Sequence, residues 1–318
     1  MAIQMKTRRP LVLLFCLATA PLPGAGILGA QTPAAGMHPL ARRYADGERL
    51  AMHISATNEH PGRTGRYDAD VSGVVTTDSA GRFVERFAWS HVALDGGSPV
   101  DIDSVLARQE VSLSPEVTPR PPDLRRMDPR LIAPALDFLT FYVDLWLAMR
   151  QGLVRSGDHR YLAMGVKGSW ADGRTIVVGE DGIDFDITLV SLDSASGVAR
   201  LTVRHVPPAG PAITLPAAWM TTPVDQNTSA AADPPRPNNW VQVAKATSDG
   251  VVSYTAGVGR ETFDVALTVA IADGRLIAAT MDNPVDVLER TCGDSALTQC
   301  GEATRYRIHR RIELRQRP

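Results

Sequence analysis

Cysteine and histidine are scarce in this sequence, which limits the metal and redox chemistry that it can support. The chain contains three cysteines and seven histidines. Cys292 and Cys300 lie close together in sequence, whereas Cys16 lies in an apolar N-terminal stretch. No CxxC motif and no histidine cluster accompany the pair, so a metal site is not expected. A disulfide between Cys292 and Cys300 is the favoured prediction, and a pair of free thiols is the alternative.

Diagnostic catalytic and nucleotide-binding motifs are also missing. The sequence has no G-x-S-x-G elbow, no H-E-x-x-H helix and no P-loop. Gly257-Val258-Gly259 lacks the third glycine of a dinucleotide-binding fingerprint. We therefore predict no cofactor. Because catalytic residues can come from distant segments, these absences lower the expectation of an enzyme without removing it.

No strong charge of either sign is present. The whole chain has a net charge of -2, and residues 1–30 hold three basic and no acidic residues, so the remainder is near -5. A chain with this balance lacks the basic surface that binds nucleic acid. We predict no nucleic-acid partner.

The N-terminus has the order of a secretory signal peptide. Lys6, Arg8 and Arg9 precede an apolar stretch at 11–20, and small residues follow. Cleavage is predicted after Ala20 or Ala30, which leaves an exported protein, periplasmic or extracellular. The alternatives are an N-terminal membrane anchor or a disordered tail. The apolar stretch is shorter than the roughly 20 residues that span a bilayer, and no later segment is expected to span one.

The remaining chain, 37–318, is dominated by strand signals. In residues 263–271 apolar and small or polar side chains alternate, and Asp273-Gly274 then marks a hairpin. Similar segments joined by short turns predict an antiparallel meander of about 10–12 strands, a half-barrel or barrel. Asn283-Pro284 is expected to bend or end its strand. Proline-rich excursions at 114–134 and 207–237 interrupt a single predicted domain; the alternative is two subdomains divided at 207–237.

One long apolar helix is predicted at about 135–151, on the concave side of the sheet. Asp137, Thr140, Asp144 and Gln151 form a narrow polar stripe, and the rest of the helix surface is apolar. The two aspartates are expected to face water or to be salt-bridged. As a catalytic pair they would be about 10 Å apart, as in an inverting glycosidase, but no second feature supports that role.

The helix has two further interpretations. It is either a core element or a lid over an apolar cavity. In the second case Phe138, Phe141, Trp146 and Met149 would contact a lipid-like ligand.

Three other groups of residues are candidates for polar chemistry. Asp184 and Asp186 share one strand face, and Asp186 is expected to lie opposite Arg204, which favours a charged outer face over a metal site. The same register places His205 on the apolar face, where it is either a hydrogen-bonded core residue or a polar anchor for a ligand. Arg310 falls on the apolar side of its strand and therefore requires a partner or a path to water.

A further predicted strand carries large and titratable side chains on one face. By strand alternation this face holds Glu85, Trp89 and His91, which are expected to line a cavity or a groove.

A signal peptide, a β-meander, a single apolar helix and further strands together resemble bacterial periplasmic half-barrels that carry lipoproteins or lipids, such as the lipoprotein-localisation factors. The resemblance lies in the order of elements and includes no motif from which binding residues can be transferred. It implies binding of an apolar or lipid-like ligand without catalysis. The alternatives are an exported hydrolase that uses these Asp and His residues, and a cell-envelope interaction module that uses the basic strand at 305–315 as a sheet edge.

Overall fold

The computed structural model describes residues 40–102, 106–117, 119, 127–128, 130–164, 168–171, 175–179, 183–206 and 240–317. The predicted signal peptide at 1–30 and the proline-rich excursion at 207–237 lie outside these ranges. The cleavage site and the division of the chain into one or two domains therefore remain predictions.

The described chain is mainly β, as predicted, and its strands form one antiparallel sheet of 14 strands. The expected number of about 10–12 was too low. The strands are β1 (Arg49–His60), β2 (Arg63–Thr77), β3 (Phe83–Leu94), β4 (Gln109–Val111), β5 (His159–Met164), β6 (Gly168–Ala171), β7 (Thr175–Gly179), β8 (Ile183–Asp193), β9 (Val198–Val206), β10 (Trp240–Ser248), β11 (Val251–Glu261), β12 (Phe263–Ala270), β13 (Leu276–Cys292) and β14 (Thr304–Gln316).

The sheet is an open half-barrel that forks at β13. One path runs β4-β3-β2-β1-β14-β13-β11-β10-β7-β6, and a second leaves β13 through β12, β9, β8 and β5. The long strand β13 makes this possible because its first half pairs with β12 and its second half pairs with β11. Strand β14 pairs with β13 on one side and β1 on the other.

The expectation that β13 ends at Asn283-Pro284 was wrong, because the strand continues through both residues to Cys292. The proline falls at the fork, where pairing with β12 stops at Asp282 and pairing with β11 starts at Val285. Proline has no N–H to donate. Its position between the two partner strands lets β13 pass through without losing a ladder hydrogen bond on that edge.

The described residues contain one α-helix, α1 (Ile132–Met149), close to the predicted span of 135–151. Pro134 lies in the first turn, where no N–H is needed. Gly152 follows the helix with a φ of 67°, a left-handed conformation that suits a residue just past a helix end. Leu131 caps the N-terminus without a side-chain hydrogen bond.

The main hydrophobic core lies between α1 and the concave face of the sheet. It collects the inward side chains of strands on both branches, from Ile54 on β1 to Leu267 on β12. A second, smaller cluster lies on the branch formed by β11 and β10, around Val243, Val258 and Leu297. The predicted disulfide between Cys292 and Cys300 is present and borders this second cluster.

Candidate functional site

The five predicted ligand residues do not form one open site. Phe138 and Phe141 are completely buried, and His205 is 3% exposed. Phe138 packs edge-on against Phe87, with ring centroids 5.0 Å apart, and against Trp89 at 5.6 Å. Aromatic neighbours therefore fill the space beside Phe138, and in this conformation the helix is a core element.

The C-terminal end of α1 is its most accessible part. Trp146 and Met149 are partly buried, whereas the residues from Pro134 to Leu145 are buried. The indole Nε1 of Trp146 donates to the carbonyl of Ser114 at 3.2 Å, and the Arg150 guanidinium lies 4.5 Å from the centre of its ring. Trp146 and Met149 are therefore the predicted contact residues on α1 that remain partly exposed to solvent.

Two shallow depressions lie on the sheet and away from the helix. One, of about 240 Å³, is lined by His53, Ser55, Glu313 and Arg315 on β1 and β14. The other, of about 310 Å³, lies across β1, β2 and the end of β3. Neither includes a residue of α1, so neither is the predicted apolar cavity.

The aspartates of the helix stripe do not face water, contrary to one of the two expectations for them. Asp137 is 4% exposed and Asp144 is fully buried. The stripe points toward the sheet because sheet residues supply a partner for each carboxylate. Thr140, between them, uses its hydroxyl to donate to the carbonyl of Leu136 within the helix.

Asp137 forms an ion pair with Arg310 of β14. The guanidinium Nη2 lies 2.6 Å from Oδ1 and 2.8 Å from Oδ2, and the hydroxyl of Tyr67 on β2 donates to Oδ2 at 2.8 Å. Burial and the neighbouring carboxylate raise the pKa of Tyr67 well above its ordinary value, so its hydroxyl stays protonated as a donor. Of the two outcomes expected for Arg310, a partner or a path to water, the structure has the partner, which is Asp137.

Asp144 pairs with His205 of β9. The imidazole Nε2 lies 2.9 Å from Oδ1 and 3.0 Å from Oδ2. The ring packs between Phe185 and Phe263, with centroid distances of 4.7 Å and 5.0 Å. Burial raises the pKa of Asp144, partly offset by His205. The sequence predicted that His205 points inward beside Phe185, and this is confirmed.

A third buried pair joins the start of the described chain to the sheet. Arg42 donates to Glu85 of β3 at 2.9 Å and to Glu48 at 2.8 Å. Tyr142 of α1 donates to the other oxygen of Glu85 at 2.9 Å. Burial raises the pKa of Glu85, while the Arg42 charge and hydrogen bond oppose the shift. Arg42 was not predicted from the sequence because it precedes the first strand and belongs to no periodic pattern.

The expectation for β3 was only partly right. Glu85 and Trp89 face inward, but the His91 side chain is 75% exposed. His91 has a φ of 51°, and the pairing of β2 with β3 shifts register between Asp68 and Asp70. This irregularity turns the strand and places His91 on the outer face.

The candidate catalytic residues are divided between the two faces of the sheet, and among them Asp144 and His205 contact each other. Asp186 lies opposite Arg204 as predicted, on the outer face, where it contacts His159, and Asp184 contacts Tyr161. His205 lies on the opposite, buried face with Asp144. The described residues contain no group of three or more His, Cys, Asp or Glu side chains arranged to hold a metal ion.

By length and composition α1 could cross a membrane, contrary to the expectation that no later segment has this character. However, 83% of it is buried within the fold. The chain matches no known protein-family profile, and no curated protein is significantly similar to it.

Proposed function

We propose that this protein binds an apolar, acyl-chain-like ligand between α1 and the concave face of the sheet, without catalysis. The observation that carries the proposal is that a single helix, rather than a second sheet, covers the apolar concave face of an open sheet. One helix can shift as a unit against such a face. The shift would expose a long apolar surface on the sheet and another on the side of the helix that faces it. The conformation described above is then the closed one.

The ligand enters at the C-terminal end of α1, beside Trp146 and Met149. These are the predicted contact residues that remain partly accessible, and they border the first residues of the excursion at Ser114. Displacement of the helix would then bring Phe138 and Phe141 into contact with the ligand. His205 would serve as a polar anchor beside them.

Two features support an exported location for this activity. The N-terminal residues have the order of a signal peptide, and the Cys292–Cys300 disulfide suits an oxidising compartment. A hydrolase has less support, because Asp144 and His205 are buried and bonded to each other. An interaction module also has less support, because β14 pairs with β13 along most of its length and with β1 from His309 to Gln316, which leaves little free edge.

The test is saturable binding of a neutral acyl-chain probe, a pyrene-labelled fatty alcohol, to the purified protein expressed with its own N-terminal segment. We expect one site with micromolar affinity. Met149→Asp should weaken binding at least about tenfold, because a charge at the entrance must be desolvated by the chain. Val251→Asp, at a position that is 69% exposed on β11, is the matched control and should bind as the wild type does.

Solvent extraction and mass spectrometry of the same preparation provide a second measurement. Acyl lipid at near-stoichiometric amounts supports the proposal. A folded protein that carries no lipid and shows no saturable probe binding rules it out.

A further inference from the structure

Arg310 is held in place by the sheet itself. It lies on the inward face of β14 with 5% exposure. Its Nη1 donates to Asn283 of β13 at 3.1 Å and its Nε donates to Asn58 of β1 at 3.2 Å. Asn283 is fixed in turn by a hydrogen bond from its amide to the carbonyl of Thr262 at 2.8 Å. The guanidinium is therefore oriented by side chains of the two strands that flank β14, independently of α1.

The remaining Arg310 donor and the Tyr67 hydroxyl converge on one point of the concave face. That point is occupied by the Asp137 carboxylate, with three contacts of 2.6–2.8 Å. A guanidinium and a phenol hydroxyl that share a carboxylate in apolar surroundings form a strong, geometrically specific anion site. The sheet thus provides the complete receptor, and the helix provides the carboxylate.

The other two buried pairs differ in this respect. In the pair of Glu85 with Arg42, the carboxylate belongs to the sheet and α1 contributes the Tyr142 hydroxyl. In the pair of Asp144 with His205, the sheet contributes an imidazole, which is not a permanent cation. Among these three pairs, movement of α1 leaves a permanent cation on the concave face at Arg310.

Resting on the proposed function, we infer that the ligand is an anionic amphiphile whose carboxylate replaces that of Asp137 on Arg310 and Tyr67, while its acyl chain takes the apolar surface that α1 gives up. A buried guanidinium without a counter-charge is strongly unfavourable. Asp137 therefore leaves Arg310 readily when another anion takes its place. A carboxylate reproduces the two-oxygen geometry that Asp137 presents. Asp137 then acts as an internal competitor that holds α1 against the sheet.

The test compares hexadecanoate, hexadecanol and hexadecyl phosphate as competitors of the neutral pyrene probe, at neutral pH and below their aggregation concentrations. In the wild type we expect hexadecanoate to bind at least about tenfold more tightly than hexadecanol, the ratio that one charge-assisted contact supplies. Asp137→Asn removes the competing charge and should tighten hexadecanoate several-fold with little change for hexadecanol.

Three further variants separate head-group recognition from folding. The double variant Asp137→Leu with Arg310→Met replaces the buried pair by apolar side chains, which proteins often tolerate. It should bind hexadecanol normally and lose the preference for hexadecanoate. Tyr67→Phe should reduce that preference several-fold. Thr140→Val, a buried polar replacement one turn from Asp137 on the same helix, is the control and should change neither affinity.

The outcomes distinguish the two proposals. Equal affinity for hexadecanoate and hexadecanol, in the wild type and in Asp137→Asn, overturns the carboxylate inference and leaves the proposed function standing. Tighter binding of hexadecyl phosphate than of hexadecanoate also overturns it. Failure of every ligand to bind the folded wild type and variants overturns the proposed function itself.

Discussion

At the scale of single residues, burial beside other charges changes the pKa of a side chain, and His60 is an example. His60, at the end of β1, is half-buried close to Arg63 and Arg310. Burial and these two positive charges lower the pKa of His60 to about 4. An unfolded histidine titrates near 6.5, so between these values the unfolded chain binds more protons than the folded one. The contribution of His60 to stability is therefore complete above pH 6.5 and is lost as the pH falls toward 4.

This linkage predicts the behaviour of His60→Gln. Its free energy of unfolding should fall less than that of the wild type between pH 6.5 and 4, because no proton is then taken up at this position on unfolding. After allowance for partial exposure, we expect a difference of about 1–2 kcal/mol. Urea unfolding across this pH range measures it. His159→Gln, at an exposed histidine, is the control; equal pH slopes for His60→Gln and the wild type would contradict the prediction.

At the scale of elements, aromatic side chains of the sheet pack against α1, and a glycine on the neighbouring strand leaves space for one of them. Gly73 of β2 lies directly opposite Phe87 of β3, and a Cβ at Gly73 would lie 2.5 Å from that ring. Phe87 contacts both Phe138 and Tyr142 of α1, with ring centroids 5.0 Å and 5.7 Å away. A glycine on one strand thus permits the ring of the next strand to lie flat over it and support the helix.

We therefore expect Gly73→Ala to destabilise the fold by about 1–3 kcal/mol, because the Phe87 ring must move into a filled core. Gly65→Ala, on the same strand, is the matched control, since its nearest neighbour to an added Cβ is 3.6 Å away. Denaturant unfolding of both variants measures the difference. Equal stability of the two would show that the Phe87 ring is not confined by Gly73.

At the scale of the whole molecule, the fork at β13 produces two cores of unequal size. The large core contains α1, whereas the small one contains Val243, Val258, Leu297 and the disulfide. The Cys292–Cys300 bridge closes a loop with a sequence separation of eight at the end of β13. Its stabilising effect is therefore expected in the branch that holds the small core.

Reduction and alkylation of this disulfide should destabilise the small core by about 2–3 kcal/mol, the loop-closure contribution for a loop of this length. Hydrogen exchange followed by mass spectrometry locates the effect. Amides of β11 and of the end of β13 should exchange faster, while those of α1 keep their protection. Equally increased exchange in both regions would show that the two cores unfold as one unit.

The sequence by itself determined the local structure of this protein. Alternating side chains in segments such as 263–271 predicted strands, and an all-round apolar stretch predicted a buried helix, because each pattern repeats with the geometry of its own element. The position of Asp186 opposite Arg204 was also predictable, since a short hairpin fixes the register between neighbouring strands. The inward positions of His205 and Arg310 followed from the same periodicity.

Only the tertiary structure decided which buried groups meet. Asp137 and Arg310 are 173 residues apart and Asp144 and His205 are 61 apart, and both members of each pair had been singled out without being connected. The course of β13 through Pro284, the outward turn of His91 and the role of Arg42 were hidden for the same reason. Periodicity gives the face on which a side chain lies, whereas its partner depends on how the curved, forked sheet brings distant strands to the helix.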